Sequence, residues 1–278
     1  MPELPEVEAV VRTLRPLAQG QRIRSVHVLH PIAVKPQAPS RLARFATGRR
    51  ILRVDRKGKY VLLVLDRGLV TLHFRLDGQL LWFSSTKELT ERANQSENGV
   101  HVDVALEFDK GVLGFADRRH FGRVQAWNSF EDCPGLAPLG IDALSREFTS
   151  GRLRELVAAS SRPLKDFLLD QTRIAGLGNI YSCESLWHAR LDPRRPANSL
   201  KPEEARRLHK AIVSVLERAL ECCLHPPPDF RDPKWWFQGL ESILRAYDRE
   251  GKPCRRCGAP IQREQSGRST YWCRRCQR

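Results

Sequence analysis

Residues 162–197, RPLKDFLLDQTRIAGLGNIYSCESLWHARLDPRRPA, decide the fold of the second half of the chain. They predict a helix over 163–169, a glycine turn at 176–178 and a second helix beginning near Asn179. Glycines before a helix N-terminus expose backbone N–H groups to an anion, and Asn179 can cap the helix or contact a phosphate. Lys165 precedes the turn by one helix and could reach the same nucleic-acid strand. A helix–turn–helix in an ordinary helical core fits these residues equally well.

Upstream of this stretch the hydrophobic pattern changes from helical to strand-like. Helical spacing over 3–18 gives way to short alternating segments that turn signals separate, which favours a β-sandwich or barrel. A chain of 278 residues predicts two domains. We expect an N-terminal domain over 1–131, a Pro/Gly-rich linker over 132–144, a helical domain over 145–244 that opens with a helix over 145–159, and a small basic module over 245–278. Strands are predicted at 23–29, 51–55, 60–65, 69–75, 79–83, 100–108, 112–115 and 123–127.

The net charge of the chain indicates which kind of molecule it binds. The chain has 47 Lys and Arg against 32 Asp and Glu, a formal charge of +15, which favours a polyanion as partner. Its apolar runs are too short to cross a membrane, and its first residues are acidic where a signal peptide would be basic. We therefore expect a cytoplasmic protein without a membrane partner, whose cysteines bind metal or remain thiols.

Four cysteines near the C-terminus have the spacing of a metal site. Cys254 and Cys257 form one Cys-x-x-Cys pair, and Cys273 and Cys276 form a second pair after fifteen intervening residues. Two such pairs predict one tetrahedral, structural Zn²⁺ ion; two disulfides are the alternative. The intervening residues predict a hairpin of 262–265 with 269–272, which can grip phosphates or form a solvated ribbon.

The start of the chain suggests a nucleophile. Pro2 follows the initiator Met1, and removal of Met1 would leave a secondary amine. An α-amino group titrates at about pH 7.7–8, so a neutral fraction can attack an electrophilic carbon such as C1′ of a sugar. Glu3 could move protons, and Glu6, one turn later, could anchor the amine. An acidic first helical turn without chemistry explains the same residues.

Taken in order, several motifs resemble those of one family. They are PELPEVE at 2–8, RKGKY at 56–60, DRRHFG at 117–122, LLDQTRIAGLGNIY at 168–181, YDREGKPC at 247–254 and CRRC at 273–276. The chain resembles the bacterial formamidopyrimidine-DNA glycosylases, a family shared with endonuclease VIII. The resemblance implies a multidomain α+β fold with an N-terminal helix and β-sandwich, followed by a C-terminal helical domain with a helix–two-turn–helix motif and a Cys₄ zinc-finger hairpin. It also implies a monomer that binds damaged double-stranded DNA in the bacterial cytoplasm, at the nucleoid.

The same resemblance assigns roles to residues. Pro2 would form a Schiff base with C1′, Glu3 would act as general acid and base, and Glu6 would support the amine. The implied reaction excises an oxidised purine and then cleaves the strand by β,δ-elimination. The resemblance also implies residues that contact DNA phosphates and residues that fill the gap left by the flipped base. Lys59 and Arg268 would act near the lesion, and Arg119 and Phe121 would fill the gap. The DNA backbone would be contacted by His73, Lys165 and Asn179. Phe121 alone could equally be a core aromatic.

Three departures from the family pattern bear on specificity. Leu76 stands where a methionine is common, and His120 stands where the family has an arginine. The segment 222–230, CCLHPPPDF, replaces a Gly-rich loop, and its prolines lack N–H donors. We therefore expect formamidopyrimidine excision and abasic-site cleavage, with weaker or altered activity on 8-oxoguanine.

Other functions remain open at this stage. A glycosylase that prefers oxidised pyrimidines would have the same motifs, and a damage-binding protein without catalysis would need the basic surface but not Pro2. An N-terminal-proline tautomerase would need neither the +15 charge nor a zinc module.

Overall fold

The computed structural model describes residues 2–93, 101–231 and 239–278. These residues form two compact units that are discontinuous in sequence. The second unit comprises Glu3–Pro5, Pro138–Cys222 and Gly239–Arg278, and the remaining described residues form the first. Pro2 thus belongs to the first unit and Glu3 to the second. The linear boundaries given above remain a prediction.

The first unit is a β-sandwich, as the sequence predicts. Its two four-stranded antiparallel sheets have the orders β1-β6-β7-β5 and β2-β3-β4-β8. Its strands are β1 (Ile23–Val28), β2 (Ile51–Lys57), β3 (Tyr60–Leu65), β4 (Leu69–His73), β5 (Gln79–Phe83), β6 (Val102–Phe108), β7 (Val112–Ala116) and β8 (Arg123–Trp127). Its helices are α1 (Leu4–Ala18), whose first two residues belong to the second unit, α2 (Pro39–Ala46) and α3 (Thr86–Ala93).

Apolar periodicity explains most of these elements. Val7, Val10 and Leu14 of α1 are fully buried, so the predicted helix presents its apolar face to a core. The β4 strand ends at His73, two residues before the predicted end, because Arg75 turns the backbone with a φ of 54°. Residue 100, the predicted start of β6, lies outside the described residues.

The second unit is mainly helical. Its helices are α4 (Ser150–Ala158), α5 (Leu164–Leu169), α6 (Asn179–Ala189), α7 (Pro202–Leu224, which extends into the first unit) and α8 (Leu240–Ile243). The short strands β9 (Ile141–Asp142) and β10 (Ile174–Ala175) form a parallel pair. The helix predicted from residue 145 begins only at Ser150, because Thr149 caps it by accepting a hydrogen bond from the Arg152 amide, 3.1 Å away.

The C-terminal hairpin of this unit confirms the predicted strand pair. Strand β11 (Gln262–Ser266) pairs with β12 (Arg268–Trp272), and Gly267 forms the turn with a φ of 69°. A small core joins Trp187 of α6 to the hairpin through Ile261 and Cys273. Among the described helices, none has the length and apolar character needed to span a membrane.

Candidate active site and nucleic-acid interface

The Glu3 carboxylate occupies the N-terminus of α6. Glu3 is buried, and its Oε2 accepts a hydrogen bond from the Gly178 amide at 2.7 Å while Oε1 accepts one from the Ile180 amide at 2.9 Å. A helix N-terminus favours an anion through these N–H groups and the helix dipole. The glycine pattern therefore marks an anion site, but the anion seated there is a side chain of this protein. The anion predicted at these amides is thus the Glu3 carboxylate.

Gly176 permits the start of α1 to lie against the glycine turn. The Leu4 amide donates to the Gly176 carbonyl at 3.2 Å. Gly176 has a φ of +106°, and a Cβ at this position would lie 2.4 Å from Leu4 Cδ1. The turn itself is held by Gln171, whose Oε1 accepts from the Gly176 amide at 3.0 Å and whose Nε2 donates to the Leu177 carbonyl at 2.7 Å. The position of Glu3 thus depends on a residue without a side chain.

Lys165 and Asn179 come together, as the sequence predicts. The Lys165 ammonium is buried, and it donates to Asn179 Oδ1 and to Cys183 Sγ, the latter at 3.3 Å. Asn179 Nδ2 donates to the Ser269 carbonyl at 2.9 Å, so one amide side chain joins α5, α6 and β12. Burial raises the pKa of the Cys183 thiol even though Lys165 opposes the shift. Lys165 therefore holds the Asn179 side chain in place.

Arg268 lies on the exposed face of the hairpin. Together with Gly267 it borders an open depression whose other wall includes Arg162 and Gln171, near the C-terminal end of α5. Asp166 and Asp170 line the same depression, and Asp170 pairs with Arg162 at 3.0 Å. Arg268 is therefore the lining residue whose charge suits a phosphate backbone.

In the first unit, Lys59 lies in the turn between β2 and β3 and is largely buried. Arg56 supports this turn, because its guanidinium donates to the Gly58 carbonyl at 3.0 Å and to Glu8 Oε2 at 2.8 Å. Burial raises the pKa of Glu8, but hydrogen bonds from Arg56 and Arg12 outweigh it, and the net pKa is lowered. An ionised Glu8 thus helps to hold the turn that carries Lys59.

His73 ends β4 directly opposite Tyr60. Its Nδ1 accepts a hydrogen bond from the Arg75 amide at 3.0 Å, and its ring packs edge-on against Tyr60 with centroids 4.4 Å apart. Burial, and then the charges of Arg75 and Lys59, lower the pKa of His73 to about 3. The ring is therefore neutral near pH 7, and with Nδ1 accepting, its proton lies on Nε2. His73 can offer that N–H to a phosphate oxygen.

Two loops of the first unit share an exposed apolar and basic surface. Phe121 is 46% exposed and Leu76 is 37% exposed, so Phe121 is not a core aromatic. The Arg119 guanidinium carbon lies 5.0 Å from the centre of the Phe121 ring, and its Nε lies 3.2 Å from Asp77 Oδ2. These contacts place the predicted gap-filling residues side by side.

Pro2 and Glu6 are both buried in the first unit. They lie on either side of Glu3–Pro5, the short segment that belongs to the second unit. The three residues expected to act at the N-terminal amine therefore fall within the first five described residues of the chain.

The four C-terminal cysteines form a compact sulfur cluster. Their Sγ atoms lie within 4.8 Å of one another, and the cysteines of the described residues form no disulfide. Trp187 Nε1 donates to Cys254 Sγ at 3.4 Å, and Arg256 covers the same indole ring at 4.0 Å. Four converging sulfurs fit one tetrahedral Zn²⁺ ion with no open position. Of the other cysteines, Cys133, Cys183 and Cys223 are buried as expected, whereas Cys222 is only half-buried.

One important carboxylate was not predicted. Glu184 of α6 is buried, and it accepts hydrogen bonds of 2.8 Å from the amides of Arg245, Ala246 and Tyr247. Burial raises the pKa of Glu184, while these three N–H groups act in the opposite direction. The segment that enters the zinc module is thus fixed to α6. A glutamate at a buried helical position is the only sequence signal for this role.

Comparison with known proteins identifies the family. Three family models match along the chain: the formamidopyrimidine-DNA glycosylase N-terminal domain at residues 1–124, the H2TH domain of the same glycosylases at 139–224, and a zinc finger found in FPG and IleRS at 251–278. The chain belongs to the formamidopyrimidine-DNA glycosylase family. The zinc-finger match and the four converging cysteines establish one structural zinc in this family member.

Relatives cover the full length of this glycosylase-family chain. It is 37% identical to the formamidopyrimidine-DNA glycosylase of Pelotomaculum thermopropionicum over 285 aligned positions, covering 100% of this chain and 99% of the relative. It is 39% identical to the enzyme of that name from Thermus thermophilus, covering 100% and 98%.

Solved structures of the family have the same fold. The Lactococcus lactis formamidopyrimidine-DNA glycosylase, bound non-covalently to DNA with an AP site, matches with a TM-score of 0.84 at 30% identity, covering 100% of both chains. The MutM (Fpg) protein of Thermus thermophilus matches with a TM-score of 0.82 at 37% identity, covering 99% of this chain and 98% of that one. The predicted α+β multidomain architecture is confirmed.

Proposed function

We propose that this chain is a bifunctional DNA glycosylase and AP lyase of base excision repair that removes oxidised purines from double-stranded DNA. One observation carries the proposal: the full-length relationship to formamidopyrimidine-DNA glycosylases in a chain that retains Pro2 and Glu3 and fixes Glu3 on α6. The +15 charge suits a nucleic-acid partner. We also propose that the protein acts as a monomer in the bacterial cytoplasm, at the nucleoid.

Base excision begins at the N-terminal amine in this mechanism. The neutral nitrogen of Pro2, freed by removal of Met1, forms a bond to C1′ of the damaged nucleoside. The C1′–N bond to the base breaks, and the base leaves with a proton that Glu3 or water supplies. Sugar-ring opening then gives an iminium ion between Pro2 and C1′. Glu3 is placed to exchange these protons because it is the residue next to the nucleophile.

Strand cleavage follows from the iminium ion. The positive nitrogen acidifies the C2′–H bond, so a base removes that proton and the C3′–O bond breaks with release of the 3′ phosphate. A second elimination breaks the C5′–O bond and releases the 5′ phosphate. Hydrolysis of the remaining linkage regenerates Pro2. The structural zinc takes no part in these steps.

Each unit contributes proposed contacts to the DNA. In the first unit, Lys59 would neutralise a phosphate near the lesion and neutral His73 would donate its Nε2 proton to another. In the second unit, Arg268 and Asn179 would contact the backbone, with Asn179 positioned by Lys165. An extruded base leaves a hole in the duplex, and the exposed Phe121 with its neighbour Arg119 would fill it.

The segment 222–230 supports a preference for formamidopyrimidines over 8-oxoguanine. Three successive prolines end at Pro228, which is buried, and none of them can donate an N–H. Phe230 is buried as well, and its carbonyl accepts from the Trp82 amide at 3.4 Å. A stiff segment fixed to β5 has little freedom to fold over a base, so recognition must depend on other contacts.

Reductive trapping tests the proposal. Intact mass first establishes that the purified chain begins at Pro2, and borohydride is then added with a duplex that contains an abasic site. A covalent adduct through Pro2 is expected, and Pro2→Gly should lose base excision while retaining DNA binding. Protein that begins at Pro2, binds the duplex and yields no adduct would instead be a non-catalytic damage-binding protein. A lesion panel with formamidopyrimidine, 8-oxoguanine and oxidised pyrimidines then ranks the substrates, and full 8-oxoguanine excision would refute the stated preference.

A further inference from the structure

Four side chains outside the proposed catalytic site converge at one end of the β-sandwich. His30 follows β1, His101 and Asp103 lie at the start of β6, and His120 lies in the turn between β7 and β8. We refer to these four residues as the His-Asp cluster. All of them belong to the first unit, so the cluster is complete within it.

The cluster has the dimensions of a metal site. One ligand atom from each residue lies within 4.8 Å of all the others. Asp103 Oδ1 lies 3.0 Å from His120 Nδ1 and 3.8 Å from His101 Nε2. A tetrahedral ion with bonds of about 2.0–2.1 Å separates its ligand atoms by about 3.4 Å. The two measured distances lie on either side of that value.

The polar atoms at the centre have no hydrogen-bond partner within the part of the chain that the structure describes. Both carboxylate oxygens of Asp103, together with His101 Nε2 and His120 Nδ1, are buried and unsatisfied. The Asp103 side chain is 0% exposed. A buried carboxylate without compensation is costly, and proteins resolve this by pairing it or by using it to coordinate a metal. The 3.0 Å contact with His120 forms an ion pair only when that imidazole is protonated, whereas a metal ion accepts lone pairs from the carboxylate and from neutral imidazoles alike.

The backbone holds these side chains in place. The amides of Leu29 and His30 donate to the Asp103 carbonyl at 2.8 and 3.0 Å, which fixes His30 beside β6. His120 has a φ of +53°, a conformation that is uncommon for a residue with a side chain. Asp117 maintains this turn by accepting hydrogen bonds from the Arg119 amide at 2.9 Å and the Gly122 amide at 2.6 Å. The turn therefore directs the His120 ring toward the cluster.

We propose that the His-Asp cluster binds a second metal ion, a divalent transition metal of the Zn²⁺ class, through three imidazoles and the Asp103 carboxylate. Three nitrogen ligands and one oxygen ligand suit Zn²⁺ and its neighbours, whereas Mg²⁺ and Ca²⁺ prefer oxygen ligands alone. The side chains of His101 and His120 are 39% and 30% exposed, so an ion can enter from solvent. This site contains no sulfur and is distinct from the Cys₄ site.

Such an ion would stabilise the turn at 117–122, which also carries Arg119 and Phe121. His120 lies between them in sequence, so coordination of its ring would restrict the backbone of the gap-filling pair. The effect on DNA rests on the proposed function, but the binding of the ion does not. His120 and Asp103 are positioning residues here and do not contact the reacting atoms.

Metal content tests the site without any DNA. The full chain, purified and dialysed against low micromolar Zn²⁺, should contain two equivalents of zinc per chain, and Asp103→Asn and His120→Arg should each contain one. His27→Gln is the matched control, because His27 lies on β1 with a half-exposed side chain outside the cluster, and it should retain two. A wild-type content of one, or two equivalents in both cluster variants, would overturn the proposal.

Cobalt substitution distinguishes the two sites within one sample. Co²⁺ in the Cys₄ site gives intense thiolate charge-transfer absorption, whereas a nitrogen and oxygen site gives only weak visible bands. The second equivalent of Co²⁺ should add the weak bands alone, and Asp103→Asn should lose that phase. Uptake of the second equivalent only at millimolar metal would show adventitious binding and refute the site.

Thermal unfolding shows whether the variants are folded, so that a loss of metal can be distinguished from misfolding. Wild type should unfold at a higher temperature when the second equivalent is added. Asp103→Asn, which removes the buried carboxylate, should be folded without that ion and should not respond to it. An equal response in both proteins would contradict coordination by Asp103.

Discussion

Replacing Gly176 by alanine should lower the stability of the protein through two effects, which are backbone strain and an overlap with Leu4. At a φ of +106° the new side chain costs about 1–2 kcal/mol, as for other left-handed positions. Its Cβ would also lie 2.4 Å from Leu4 Cδ1, an overlap that requires a shift costing about 1–3 kcal/mol more. We expect Gly176→Ala to lower the free energy of unfolding by about 2–5 kcal/mol, summed from these two effects.

Gly48→Ala is the matched control. Gly48 has a φ of +81°, and a Cβ there would meet no atom within 4 Å, so this variant bears the strain without the overlap. Denaturant unfolding of both variants should therefore differ by about 1–3 kcal/mol, which isolates the contact with Leu4. A shift of Leu4 also moves Glu3, so trapping on abasic DNA should slow in Gly176→Ala and remain normal in Gly48→Ala. Equal destabilisation of the two variants would refute this reasoning.

Three further predictions concern other residues. Glu184→Ala leaves three backbone amides, one of them buried, without an acceptor. The free energy of unfolding should therefore fall by about 1–3 kcal/mol in denaturant titrations; an unchanged transition would mean that water replaces the carboxylate. His73 has a lowered pKa of about 3 in the folded state, so the unfolded chain binds more protons below about pH 6.5 and stability should be lost as the pH falls from there toward 3. His73→Gln should flatten that slope in unfolding measured against pH, and an unaltered slope would assign it to other groups. Arg268→Ala should weaken binding to all DNA sequences alike and reduce the salt slope of log K by about one, whereas a loss that depends on the lesion would place Arg268 at the base.

Local sequence patterns predicted most helices and strands and the zinc site. The apolar runs at 60–65 and 69–75 predict two strands, because short apolar runs bounded by turn residues are typical of buried strands. The paired Cys-x-x-Cys motifs are equally local, since each pair supplies two ligands from one turn. The hairpin over 262–272 follows from the same logic, with Gly267 at the turn.

Long-range partners could not be predicted in this way. The glycine turn before α6 indicated an anion site, but the anion comes from Glu3, 175 positions earlier in the chain. The sequence showed His120 only as a replacement for arginine. Its neighbours His30 and Asp103 lie far away in the sequence, one after β1 and one on β6, so the cluster could not be predicted. A local signal was also missed: Thr149 caps the helix predicted over 145–159, which therefore begins at Ser150, five residues after its predicted start.

The fastening of Glu3 to α6 has a consequence for biosynthesis. A ribosome completes the sandwich strands long before it reaches Gly178, so the Glu3 carboxylate of the nascent chain has no donor amides until α6 is synthesised. Contacts this distant in sequence close late. A truncated translation product that stops before α6 would therefore lack the amides that fix Glu3. Under the proposed mechanism, Pro2 of such a product would have no fixed carboxylate beside it, and the product would not cleave DNA.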